Sequence, residues 1–142
     1  RQRFNPDPAK LARLEPAWRE ALTVLRPKLQ LLLETCFREH RLDALVFPTT
    51  PFPAVAVAHD SADLVINGEP VAGGFGHFIR NTVFQSAAGI PSLTVPAGLT
   101  ADGLPVGISF DGPLGSDRRL LAIGHAFETL RGRFPAPPLA EA

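Results

Sequence analysis

Methionine and tyrosine are absent from this chain, cysteine and tryptophan occur once each, and 14 Lys+Arg balance 14 Asp+Glu. The single Cys36 cannot form an internal disulfide, which suits a reducing compartment and makes the cytoplasm the expected location. Zero net charge leaves no basic field to gather nucleic acid or an anionic membrane, so neither is an expected partner. No apolar run approaches the ~20 residues of a spanning helix, and Arg1 to Pro6 leads into no signal-type apolar core. The want of any Met, position 1 included, is the mark of a chain that starts inside a longer translation product, and a fragment is expected.

What is present suffices for one core. The 142 residues are 45% hydrophobic and 20% charged, an ordinary globular balance. Residues 1–41 read as a helical segment, 42–131 as a strand-rich α/β segment and 132–142 as an irregular tail. Trp18, Leu22, Leu25, Leu29, Leu32 and Cys36 recur at alternating spacings of four and three, with Leu33 and Phe37 widening the stripe, which predicts one buried helix face. Asp7-Pro8 suits a helix start, Pro16 the first turn of a second helix, and Pro27 a kink near Leu25-Arg26.

Further on, the pattern predicts strands within 42–47, 92–95 and 105–110, and helices over 27–40 and 117–130. Short strands fit Ala54 to Ala58 and Leu64 to Ile66, with Asn67-Gly68 as a hairpin turn. Gly73 to Gly76 reads as a loop, and lacks the flanking Lys and Ser/Thr of a phosphate-binding one. Thr82-Val83-Phe84-Gln85 has the form of a capping box, Gly89 closes that short helix, and Asp102-Gly103 turns the chain back. Ser116 is placed to cap the final helix, whose inward face should be Leu120, Ile123, Phe127 and Leu130.

Three segments in order, Asp43 to Pro51, Ala88 to Gly98 and Gly103 to Gly107, resemble the C-terminal region of the amidase signature family. The run Phe110 to Leu121 is similar to the branch of mandelamide and indoleacetamide hydrolases. The resemblance spans about residues 15–131 and implies an α/β fold with a mixed β-sheet flanked by helices. It also implies hydrolysis of a carboxamide C–N bond by a Ser-Ser-Lys machinery that belongs to an upstream Gly- and Ser-rich segment and a preceding Lys. Neither is in this chain, whose only lysines are Lys10 and Lys28, and a nucleophile without its base is inert. No catalytic residue is therefore assigned, no cofactor is implied, and the partner expected of the complete enzyme is a small carboxamide.

Ser86, Ser92, Ser109 and Ser116 have no His or Lys at a spacing that predicts a catalytic set, and ordinary structural duty is the stronger reading. His40, His59, His77 and His125 are scattered, and Cys36 sits on the apolar stripe, so no metal ligand is assigned. For substrate contact the candidates are Asn81, Thr50 and Phe78, with Thr49, Phe52 and Phe75 beside them as further pocket lining. Two other readings stand: a non-catalytic interaction module or remnant, and the amidase-like subunit of a tRNA-dependent amidotransferase. Strands severed from upstream neighbours expose sheet edges, so self-association through them is expected.

Overall fold

The computed structural model describes residues 7–55, 64–66, 69–71 and 74–135. The predicted turn at Asn67-Gly68, the strand from position 56 to 58, and His59 and Gly73 lie outside the described residues. Helix α1 (Pro8–Glu20) opens with Asp7 accepting the Ala9 amide at 3.0 Å and Pro8 in the first turn, an end built to satisfy its own donors. Pro16 does not begin a second helix; it lies inside α1. The interruption comes at Ala21–Leu25, a π turn in which the Arg26 amide reaches back to the Ala21 carbonyl, and α2 (Arg26–Glu39) follows. Pro27 has no amide to give the preceding turn, and the wider turn absorbs the mismatch where a kink is predicted.

The predicted buried stripe is displaced. Trp18, Leu25 and Leu32 are more than half exposed, and Phe37 is the buried residue of α2, with Leu29 and Leu33 packed partly against it. Four-residue steps from Leu29 to Leu33 to Phe37 define the inner face, so the covered side is the one that Leu33 and Phe37 add to the predicted stripe, because apolar residues occupy more than one face of α2.

Strand β1 (Leu45–Pro48) precedes a hairpin of β2 (Leu64–Ile66) and β3 (Glu69–Val71). A helical run follows: α3 (Phe75–Ile79), a 3₁₀ turn at Arg80–Thr82 and α4 (Val83–Ala88). Regular structure thus resumes at Phe75, directly after Gly74 at φ 43°, where a loop through Gly76 is predicted. Strands β4 (Ser92–Leu99) and β5 (Pro105–Asp111) and helix α5 (Asp117–Arg131) complete the chain.

The α/β class holds, and the described pairings are all antiparallel: one sheet is ordered β1-β5-β4 and the second is the β2-β3 hairpin. Gly103, at φ 80°, donates to the Thr100 carbonyl and so closes the β4–β5 turn. β4 runs past its predicted end at Val95 because a bulge between Pro96 and Gly98 takes up the residue that a proline displaces.

Two cores lie on opposite faces of the sheet. Alternate side chains of β4 and β5, Leu93, Val95, Ile108 and Phe110, meet Leu120, Ile123 and Phe127 of α5. Leu45, beside Asp111 in the register, packs instead with Phe37, Ala88 and Ile90 between α2 and α4. Gly124 lets α5 approach closely, since a Cβ there would stand 2.4 Å from Leu93 Cδ2. Leu130 departs from its predicted inward place and is 89% exposed.

Neither predicted cap bond forms. Ser116 occupies the cap position of α5 without bonding an amide, and Thr82 donates backward to the Ile79 carbonyl at 2.9 Å because its helix continues a preceding turn. Gly89 does close α4, at φ 73° with its amide on the Gln85 carbonyl. Replacing Leu120, which is 2% exposed, by Ala is expected to cost about 2–5 kcal/mol, whereas Leu121→Ala, at 63% exposure, should stay within about 0.5 kcal/mol. Urea unfolding of the two variants beside the parent chain checks the pair.

Candidate functional site

The loop leaving β1 has proline at 48, 51 and 53, which fixes φ and withholds three backbone donors. Other groups must hold such a loop, and they come from three directions. Thr49 donates its amide to the Gly107 carbonyl at 3.0 Å, Asn81 Nδ2 donates to the Pro48 carbonyl at 2.7 Å, and Thr50 Oγ1 donates to the Phe52 carbonyl at 2.8 Å. Phe52 sets its ring edgewise to Phe78 at 6.2 Å and to His77 at 6.5 Å.

An apolar hollow of about 480 Å³ opens beside this loop, between Phe47, Thr50, Phe52 and Pro53 on one side and Ala97, Val106 and Ile108 on the other. The three nominated residues therefore converge on one loop but in different ways. Thr50 lines the hollow, Phe78 supports the Phe52 ring that lines it, and Asn81 anchors the backbone at its root. Thr49 turns away into the sheet, and the side chain of Phe75 lies outside the described residues.

Behind the loop sits a ring of hydroxyls. Ser109, 1% exposed, lies 2.8 Å from Thr49 Oγ1 and 3.0 Å from Thr94 Oγ1, and the two threonines are 3.4 Å apart. Gly107 makes room for it, since a Cβ there would lie 2.9 Å from Thr49 Oγ1 and 3.0 Å from Thr94 Cγ2. These hydroxyls bond one another, with no base in the ring, so the cluster stitches β1, β5 and β4 together and is no activated nucleophile. Among the described residues no three His, Cys, Asp or Glu side chains gather as a metal site would require.

Two polar side chains are buried nearby: Gln85, which the sequence reading places in a capping box, and Asp111, which it passes over. Gln85, 4% exposed, donates to the Asn81 carbonyl at 2.9 Å and leaves its own oxygen without a partner. Asp111 is wholly buried and neither carboxyl oxygen has a well-formed hydrogen bond, Ser92 being the side chain placed to donate to it. Burial pushes its carboxyl above the ordinary 3.8, and the Ser92 hydroxyl from the facing position on β4 draws it partly back. In the sequence, Asp111-Gly112-Pro113 reads as turn chemistry, which hides a carboxyl at the end of a central strand.

A three-stranded sheet between two helical layers, with a proline-rich loop walling an apolar hollow, defines an α/β architecture. The family model named Amidase matches residues 6–121, and the chain belongs to that family. It is 48% identical over 103 residues to an indoleacetamide hydrolase of Agrobacterium vitis, covering 72% of this chain and 22% of that one. It is 44% identical over 128 residues to a mandelamide hydrolase of Pseudomonas putida, covering 87% and 23%. A crystal structure of an amidase superposes with a TM-score of 0.72 at 31% identity, over 87% of this chain and 27% of the other. The chain thus spans about a quarter of the length of the proteins it matches.

Asp111 gives the isolated chain a pH signature. Its native carboxyl holds a proton more readily than the unfolded one, so the fold binds more protons just above pH 3.8 and loses stability as pH rises through that window. Asp111→Asn is expected to be more stable than the parent at neutral pH, by about 1–3 kcal/mol, with the gap closing in acid. Denaturant unfolding from pH 3 to 8 tests the sign; a parent chain that gains on the variant as pH rises would reverse it.

Proposed function

We propose that this chain forms a wall of the substrate pocket in an amidase that cleaves a carboxamide C–N bond, releasing a carboxylic acid and ammonia or an amine. The nucleophile and its base come from residues outside this sequence. The observation behind the reading is the apolar hollow beside the loop that Thr50, Phe78 and Asn81 jointly shape, in a chain of the amidase family. Apolar walls with few polar groups suit an acyl group with an aromatic or aliphatic body. The names of the relatives, an indoleacetamide and a mandelamide hydrolase, support an aryl-bearing amide. The single Cys36 supports a reducing, cytoplasmic setting.

In the absence of the rest of that fold, β1 and β4 are each paired on one side only among the described residues, and we propose self-association through these edges. Val46 on β1 is 54% exposed, and Val46→Lys is expected to lower oligomer content in sedimentation runs over a wide concentration range. A stable monomer at every concentration would remove this proposal.

The chain alone should not turn over phenylacetamide or indoleacetamide above background; turnover that vanishes when one of its own serines is replaced would contradict the assignment. The pocket reading is tested in a chimera in which this chain replaces its counterpart in the Pseudomonas putida mandelamide hydrolase. There Asn81→Ala is expected to lower kcat/KM about tenfold, or ~1.4 kcal/mol of transition-state stabilisation, by loosening the loop root. An unchanged kcat/KM in an active chimera would sink the assignment.

A further inference from the structure

The walls of the hollow beside the β1 loop are not equally free to vary. On the loop side Phe52 is held edgewise by Phe78 at 6.2 Å, and its carbonyl accepts from Thr50 Oγ1, so that wall cannot retreat without breaking both contacts. On the strand side Ile108 is committed to the core under α5, and Gly107 can carry no side chain, because a Cβ there would stand 2.9 Å from Thr49 Oγ1. Ala97 is under neither restraint. The β4–β5 ladder passes from Pro96↔Gly107 to Gly98↔Val106, so Ala97 is the extra residue of the bulge and has no partner across the strands. It is half-buried, it lines the hollow, and glycine aside it is the smallest residue that does so.

We propose that Ala97 sets the size of the acyl group, its methyl leaving the hollow open to a fused two-ring aryl acetamide. The inference rests on the pocket reading above and deepens it. A dry cavity of roughly 150 Å³ takes one benzene ring, and the hollow here is about 480 Å³, so a single ring leaves most of it unfilled. Phe47, Phe52, Val106 and Ile108 give it apolar walls, and the Thr50 hydroxyl already donates to the Phe52 carbonyl, so the group that fills it is apolar and large. A longer side chain at position 97 would occupy the room of the second ring from the strand side and leave the Phe52 wall in place.

The test uses the chimera in which this chain replaces its counterpart in the Pseudomonas putida mandelamide hydrolase, assayed with indoleacetamide and phenylacetamide. Ala97→Leu is expected to lower the ratio of the two kcat/KM values, indoleacetamide over phenylacetamide, by at least about tenfold, the scale on which apolar pockets discriminate by added carbon. Ala97→Val should lower the ratio less, and Ala97→Gly should hold or raise it. Calorimetric binding of the product acids, indoleacetate and phenylacetate, reads the same ratio without turnover, and circular dichroism melts establish that each variant is folded. A purely structural role for Ala97 would weaken both amides in proportion and leave the ratio where it was, which overturns the proposal. Asn81→Ala separates the two claims, since it loosens the loop root and should lower both amides alike. If it does so while the ratio ignores residue 97, the pocket reading stands and the size determinant falls; if neither acid binds the unsubstituted chimera, both fall.

Discussion

β5 is the strand of the described three-stranded sheet that is hydrogen-bonded on both sides, and β1 and β4 take their positions from it. β1 registers against it from Leu45↔Asp111 to Pro48↔Ile108, and β4 from Ser92↔Asp111 to Leu99↔Pro105. Because side chains alternate across a strand, Ile108 and Phe110 belong to the layer under α5 while Gly107, Ser109 and Asp111 belong to the opposite layer. A one-residue slip would put the carboxyl of Asp111 among Leu120, Ile123 and Phe127, so the register is held by what it would cost to lose it. The hydroxyl ring of Thr49, Ser109 and Thr94 adds a second constraint, since its three members come from the three neighbouring segments and meet only in this alignment.

The helices are positioned by orphaned carbonyls as much as by apolar contact. At the end of α4, Arg26 Nε donates to the Ala87 carbonyl and Gln30 Nε2 to the Ala88 carbonyl, each at 2.7 Å, while Gly89 and Ile90 both direct amides at the Gln85 carbonyl. α2 thereby fixes the far end of a run whose near end holds Asn81, and Asn81 holds Pro48. A line of polar contacts thus connects the long N-terminal arm to the loop beside the hollow, through Gln85 and the Asn81 carbonyl.

Local signals made much of this visible in the sequence. The strands near 45, 92 and 105 and the last helix were legible because prolines and glycines bracket short apolar runs, and the turn at Gly103 because only a residue that tolerates φ 80° closes it there. The inner face of α2 was legible only in part: Leu29, Leu33 and Phe37 lie within the predicted stripe, but apolar side chains on several faces leave periodicity with no unique answer and tertiary contact with α4 decides. The capping bonds of Thr82 and Ser116 failed for a related reason: a side-chain oxygen bonds an amide only if the chain enters from an extended conformation, and Thr82 follows a helical turn. Asn81, Thr50 and Phe78 could be nominated from their surroundings, but their division between lining and support depends on where Pro48 and Phe52 are carried in space.

Asp111 and the bare face of α1 express one physical condition. A buried carboxyl without a well-formed hydrogen bond and an exposed Leu11-Leu14-Trp18 stripe each cost free energy, and sequences tend to break local rules at functional sites. At the end of α4, by contrast, the carbonyls are claimed by side chains from another helix.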